Sequence, residues 1–237
     1  MLKAVLFDLD GTLLPMDQDE FVNGYFGLLC EKMAPLGYEP KALVKAVWGG
    51  TAAMVKNDGS CYNQEAFWRF ILDIYGPETE KHIPVFEDFY ANEFQQARRF
   101  CGFAPQAGEI VRFCRESGRR VILATNPLFP AVATESRIRW AGLSPEDFEL
   151  YTTYENSRTC KPNPDYYREI LQRQGLEAQD CLMVGNDVGE DMIAETLGMG
   201  VFLLTDCLIN RAGADISRWP NGGFEALRET LRRAFDR

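Results

Sequence analysis

Four short runs, Ala4–Phe7, Val121–Ala124, Cys181–Val184 and Val201–Leu204, are almost continuously apolar and about the length of a β-strand. Such a run has no polar face to give to water, so it must be covered on both sides. Strands of a parallel sheet are in that situation, and they need long crossover connections. The chain supplies them. Helical patterns occupy residues 105–117, 130–141, 163–174, 188–197 and 223–235. The first four run into Gly118, Gly142, Gly175 and Gly198, the residue type that closes a helix. A weaker fifth run, Phe148–Thr153, precedes Tyr154. Strand and helix in alternation predict an α/β fold, a doubly wound, Rossmann-like parallel sheet with right-handed crossovers.

One long segment breaks the alternation. Residues 16–98 carry no strand pattern, but Phe21, Tyr25, Leu28, Leu29 and Met33 recur at helical spacing, as do Phe67, Phe70, Ile71 and Ile74. A third helical stretch carries Phe86, Phe89, Tyr90 and Phe94 after a break at Pro84. The expected organisation is therefore an α/β core from residues 1–15 and 99–237, with a smaller all-helical domain, 16–98, inserted after the first strand. Within it, Trp48-Gly49-Gly50-Thr51 is expected to interrupt a helix, Lys56–Ser60 to form a solvated turn, and His82 to lie at the surface.

Charge and cysteine content narrow the function classes. The formal net charge of the 237 residues is −10, which disfavours nucleic acid and anionic lipid as partners. An anionic substrate would need a local positive site. Seven cysteines form no C-x-x-C pair, and His82 is the lone histidine, so neither a zinc site nor a disulfide framework is expected. No apolar run is long enough to span a bilayer. The expectation is a cytoplasmic protein, a monomer or weak homodimer.

In open α/β sheets ligands bind beyond the carboxyl ends of the strands. The first run ends in Asp8-Leu9-Asp10-Gly11-Thr12, the second in Thr125-Asn126, and the run 181–184 in Gly185-Asn186-Asp187 with Asp191 one helical turn later. Lys161-Pro162 opens the helix before that run. Residues two apart on an extended chain point the same way, so Asp8 and Asp10 can face one site. Asp187 and Asp191, four apart, can share a helix face. Carboxylates so gathered repel unless a cation sits among them, and an all-oxygen donor set favours Mg²⁺ over zinc. Lys161 adds the positive charge that a phosphoryl group requires, and Thr125 a hydroxyl. These parts can hold a phosphate ester and offer it a carboxylate nucleophile.

Asp8-x-Asp10-x-Thr12, Thr125-Asn126, Lys161-Pro162-Asn163-Pro164 and Gly185-Asn186-Asp187-x-x-x-Asp191 resemble the four ordered motifs of the haloacid dehalogenase (HAD) superfamily. The resemblance implies a Mg²⁺-dependent phosphatase of a small phosphorylated metabolite. Asp8 would attack phosphorus and become an aspartyl phosphate. Asp10 would protonate the leaving oxygen and then activate water. Thr125, the Asn126 backbone and Lys161 would hold the phosphoryl group. Asp8, the Asp10 carbonyl and Asp187 would bind the metal, and Asp191 would orient its surroundings or Lys161. The inserted helices resemble the family's α-helical cap. Asn186 stands where many members carry another acid. Dehalogenases proper lack the second aspartate, so Asp10 favours phosphate chemistry.

The same motifs would serve a phosphoryl-transferring mutase, and a catalytically silent relative acting as a binding protein is the non-enzyme alternative. A phosphonate-cleaving relative would need a Schiff-base lysine in the helical domain, where Lys32, Lys41, Lys45 and Lys56 lie.

Overall fold

The computed structural model describes residues 1–236. Its sheet has six strands, all parallel: β1 (Ala4–Phe7), β2 (Arg120–Leu123), β3 (Leu150–Tyr151), β4 (Cys181–Gly185), β5 (Gly200–Leu204) and β6 (Asn221–Gly222), in spatial order 3-2-1-4-5-6. The chain winds outward from β1 in one direction, then returns to β1's other side and winds the opposite way. The switch point lies between β1 and β4, beside the carboxyl end of β1.

The double coverage expected of the apolar runs is observed. Val5, Phe7, Val121, Leu123, Val184 and Phe202 face one core, and alternate residues Leu6, Ile122, Met183 and Leu203 face the other. The first core is closed by α5 (Pro105–Glu116), α6 (Ala131–Trp140) and α8 (Phe224–Phe235), through residues such as Ile110, Ile138 and Leu231. The second is closed by α7 (Pro164–Gln174), through Tyr166, Tyr167 and Ile170.

Three local expectations are corrected. The weak run 148–153 contributes only Leu150–Tyr151 as strand. The polar pair Asn221–Gly222 adds an edge strand that has no hydrophobic signature. Residues 188–197 form no α-helix. They turn sharply and then enter a 3₁₀ segment, Met192–Leu197, while the Asp187 side chain accepts the Gly189 amide and Asp191 accepts the Asp187 amide.

Between β1 and α5 lie α1 (Gln18–Met33), α2 (Pro40–Val55), α3 (Asn63–Tyr75) and α4 (Ile83–Ala91), followed by a 3₁₀ segment, Glu93–Phe100. The two connections to the sheet run side by side, with a Met16–Cys101 bridge and Gly102 donating to the Pro15 carbonyl at 2.7 Å. Phe94, fully buried, stacks on Trp140 of α6 with ring centroids 5.2 Å apart, which joins the helices to the first core. The N-terminus of α3 docks on the loop before α7. Asn63 donates its backbone amide to Ser157 at 2.9 Å, and its buried side-chain amide lies 3.3 Å from the Thr159 carbonyl. Asn57 is likewise buried and donates to Asn63, so the turn at 56–60 is solvated only in part.

The Gly49-Gly50 pair does not interrupt α2, which is continuous through it. A Cβ at Gly50 would stand 2.6 Å from the Phe67 ring, and one at Gly49 would stand 2.3 Å from Phe70. The glycines let α3 press its aromatic rings against α2. Gly50→Val is expected to lower stability by about 1–3 kcal/mol through overpacking, read as a shifted urea midpoint at constant slope. An unchanged midpoint would show that Phe67 has room to give way.

Candidate active site

Immediately after β1 the chain folds back on itself. Leu14 donates to the Leu9 carbonyl at 2.8 Å and Gly11 to the Leu14 carbonyl at 2.8 Å. This turn needs Gly11, whose φ is +82°, and a Cβ there would strike the Asn186 amide. The fold-back places Thr12 beside Asp8: its hydroxyl lies 3.2 Å from Asp8 Oδ2 and 3.0 Å from Asn186 Oδ1. Asn186 Nδ2 donates to the Cys207 carbonyl at 2.6 Å. Asn186 therefore braces the Asp8–Thr12 turn.

Lys161 reaches the same carboxylate from the opposite side. Its ammonium, 1% exposed as a residue, donates to Asp8 Oδ1 at 2.8 Å and Asp191 Oδ1 at 2.6 Å. Burial alone would lower the lysine pKa, but Asp191 and Asp8 hold it well above the ordinary value. Asp191 takes the Asp187 amide on its other oxygen at 2.9 Å, so both of its oxygens receive donors. Lys161 lies three residues before α7, whose N-cap is Asn163.

Thr125 is buried, and its carbonyl accepts from Thr152 and Tyr166 at 2.6 and 2.8 Å, fixing the end of β2. Its own hydroxyl has no partner among the described residues, and the backbone amides of Leu9, Asp10 and Asn126 likewise donate to no protein acceptor. Leu9 and Asp10 follow Asp8 directly, and Thr125 and Asn126 follow β2, the strand paired with β1, so these open donors stand at one edge of the sheet, a feature of backbone bonding that sequence does not display. Asn126 donates its side-chain amide to Glu190 at 2.9 Å. Burial foremost, with the neighbouring carboxylates and against Lys161, pushes Glu190 up to about 7.

Asp10 stands apart from the lysine. One oxygen pairs with Arg137 of α6, whose side chain is wholly buried and lies 4.3 Å over the Phe129 ring. The other oxygen is buried without a hydrogen-bond partner among the described residues. Burial raises the Asp10 pKa, Arg137 opposes that rise, and Asp8 adds to it. Sequence reading missed Arg137. Its signal was an arginine on the same helix face as Ala133 and Trp140, four residues before it and three after.

Asp187 and Asp191 do not present one common face. Asp187 Oδ1 accepts the Gly189 and Glu190 amides at 2.7 and 3.0 Å, and its other oxygen takes no protein donor among the described residues. Among those residues, no three carboxylate, imidazole or thiol side chains gather as a metal site by themselves. Any cation at this edge would need backbone oxygen as well. The available donors, Asp8, Asp187 and the Asp10 carbonyl, are all oxygen, which suits Mg²⁺. Lys161 and Arg137 each answer carboxylates, whereas Asp187 pairs with no side-chain cation among the described residues.

Over this floor, between the sheet and the helices, lies a cavity of about 310 Å³. Asn126 and Glu190 line its lower side, and aromatic residues of α1, α2 and α3 line its upper walls.

Loss of the buried guanidinium would leave Asp10 unpaired. Arg137→Met is expected to destabilise the protein by about 3 kcal/mol, a fall of roughly 6–12 °C in Tm for a chain of this size. An unchanged Tm in calorimetry would show that the pair contributes nothing to folding.

A family model of hydrolases, haloacid dehalogenase-like hydrolase, matches residues 2–194. The chain is 24% identical over 211 residues to YhcW of Bacillus subtilis, an inferred phosphatase, covering 84% of this chain and 81% of that protein. Among solved structures, it superposes on a 2-haloacid dehalogenase from Pseudomonas syringae with TM-score 0.64 and 21% identity, covering 98% and 99% of the two chains. A HAD phosphatase from Thermococcus onnurineus gives TM-score 0.59 and 18% identity, covering 97% and 98%. These two structures share its fold.

Proposed function

The chain belongs to the haloacid dehalogenase-like hydrolases, and we propose that it is a Mg²⁺-dependent phosphatase of a small phosphorylated molecule. One observation carries this reading. Asp8 is held by Lys161 on one oxygen and lies beside Thr12 on the other, and a second carboxylate, Asp10, stands two residues away with one oxygen buried and unpartnered. A carboxylate nucleophile beside a poised acid–base group suits phosphate-ester hydrolysis. The inferred phosphatase YhcW, alike over most of both chains, supports the same activity.

In the proposed mechanism the phosphoryl group lies against Asp8, with its oxygens taken by Lys161, the Thr125 hydroxyl and the open amides of Leu9, Asp10 and Asn126. Asp8 attacks phosphorus while Asp10, whose carboxyl is raised by burial, gives its proton to the leaving alcohol. A water then loses a proton to Asp10 and attacks the aspartyl phosphate, which frees Asp8 and inorganic phosphate. Asp8, the Asp10 carbonyl and Asp187 would hold Mg²⁺, which when bound offsets negative charge on the phosphoryl oxygens. The helices 18–91 would act as a cap, and their docking on the loop before Lys161 keeps bulk water from the site.

Asp8→Asn is expected to abolish phosphate release from a panel of phosphate monoesters. Asp10→Asn should slow it by about 10²–10⁴-fold, the usual cost of a lost acid–base group. Parent-like turnover by Asp8→Asn would remove the nucleophile from the scheme.

The metal has a readout of its own. Mg²⁺ that binds only the folded form should stabilise it by about 2.7 kcal/mol at one hundred times Kd. Asp187→Asn should shrink the resulting rise in Tm. Melting curves indifferent to Mg²⁺ would count against the ion site whatever the activity shows.

A further inference from the structure

Resting on the phosphatase reading, we propose that Arg137 is a positioning residue of the reaction, which holds the Asp10 carboxyl where its proton can pass to the leaving ester oxygen. In that step the Asp8–phosphorus bond forms, the bond from phosphorus to the ester oxygen breaks, and the proton on Asp10 moves to that oxygen. An alkoxide leaves poorly without a proton, so the placement of Asp10 decides the rate for esters of ordinary alcohols. Arg137 thereby fits the enzyme to alkyl phosphates.

The backbone around Asp10 is already fixed, by the bridge between Asp10 and Leu14 and by Gly11 donating to the Leu14 carbonyl at 2.8 Å. What remains to be set is the direction of the side chain. Lys161, the other buried cation of the site, bonds to Asp8 and Asp191 and not to Asp10. Among the described residues, Arg137 is the one side chain that pairs with the Asp10 carboxyl. Its guanidinium is in turn held on several sides. Nε donates to the Ala133 carbonyl at 3.3 Å, Nη2 donates to the Thr134 hydroxyl at 3.3 Å, and the guanidinium carbon lies 4.3 Å from the centre of the Phe129 ring. A planar group anchored in this way presents its remaining N–H in one direction, which an ammonium on a flexible stem does not.

Arg137 is wholly buried and is not among the residues that line the cavity, so it reaches the reaction only through another residue. A structural ion pair is the bland alternative, but a buried pair is a poor means of stabilising a fold, since apolar side chains of similar volume do as well. Placement gives the better account. Helix α6 belongs to the α/β core, as do β1 and the turn after it, so acid and nucleophile are held by the core and not by the inserted helices. Phe129, the ring under the guanidinium, also lines the cavity between the sheet and those helices. An alcohol departing through that cavity therefore passes the ring that steadies the holder of its proton donor.

The test reads kcat/KM in Mg²⁺ for ethyl phosphate and 4-nitrophenyl phosphate, a quantity that covers the steps through the aspartyl phosphate. Ethoxide needs a proton as it leaves and nitrophenolate does not, so the nitrophenyl-to-ethyl ratio reports proton delivery. Taken within one sample, the ratio is unaffected by how much of the enzyme is folded. Arg137→Met is expected to raise it by about 100-fold, the low end for a lost acid–base group, and Asp10→Asn by at least as much. Adding Arg137→Met to Asp10→Asn should leave the ratio where Asp10→Asn put it, because both changes act on one transfer. Arg137→Lys keeps the charge and loses the anchored plane, so it should raise the ratio by about tenfold, half the Arg137→Met effect on a logarithmic scale. A parental ratio in folded Arg137→Met, or in Arg137→Lys where the methionine variant does not fold, would reduce the arginine to a structural ion pair and overturn the proposal. A further rise in the double variant would show Arg137 acting without Asp10 and would overturn it too. An Asp10→Asn ratio equal to the parent's would remove the acid, and the proposal with it, while leaving the hydrolysis. No phosphate released by the parent from either ester, nor from a wider monoester panel, would overturn the phosphatase reading itself.

Discussion

Lys161 is the point at which separate parts of the chain become one site. Its ammonium is buried, and an isolated buried cation is strongly unfavourable. It is tolerated because Asp8 comes from the end of β1 and Asp191 from the loop after β4, each supplying an oxygen at 2.8 and 2.6 Å. The arrangement constrains everything near it. If either strand slipped its register by one residue, the carboxylate it carries would point elsewhere and the lysine would be left without compensation. The pairing of Phe7 with Val184 in adjacent parallel strands holds both carboxylates at one edge. Charge balance at the site is thus a consequence of sheet register, and correct register is in turn favoured by charge balance.

A second buried cation divides the labour. Lys161 serves Asp8 and Asp191, while Arg137 serves Asp10 from α6. Asp8 and Asp10 lie on one turn yet have different electrostatic neighbours. Separating the environments of two nearby carboxylates is how one site obtains both a nucleophile and an acid. The guanidinium also covers the Phe129 ring, one wall of the cavity, so the residue that pairs with the proposed acid also supports the proposed substrate chamber.

Much of this was legible in the sequence, for physical reasons that set its limits. A strand buried on both faces must be apolar throughout, so β1, β2, β4 and β5 declared themselves, and the residues that end them could be read as one edge. Asp8, Lys161 and Asp191 do meet there. What failed to show was whatever depends on partners far away in sequence. Asn221–Gly222 pairs with β5 without any apolar pattern. Arg137 resembles any helix arginine until Asp10 is seen 127 residues away in sequence. The stretch after Asp187 carries a helical period, yet the chain makes a turn there and then a 3₁₀ segment, Met192–Leu197. Gly49-Gly50 reads equally as a break or as a close approach, and only the positions of Phe67 and Phe70 decide for the latter.

The helices inserted after β1 complete the argument about the site, because their docking point is not arbitrary. Asn63, at the start of α3, bonds to Ser157 and lies against Thr159 and Cys160, and Lys161 follows directly. Asn57 holds Asn63 from within the same helical segment. The loop that delivers the lysine is therefore braced by the helices that roof the cavity, while its far end is fixed by the Asn163 cap of α7. A site residue gains precision when rigid elements hold it on both sides. Here one of those elements is also the roof over the cavity, so the position of the helices and the placement of the buried ammonium depend on the same short stretch of backbone.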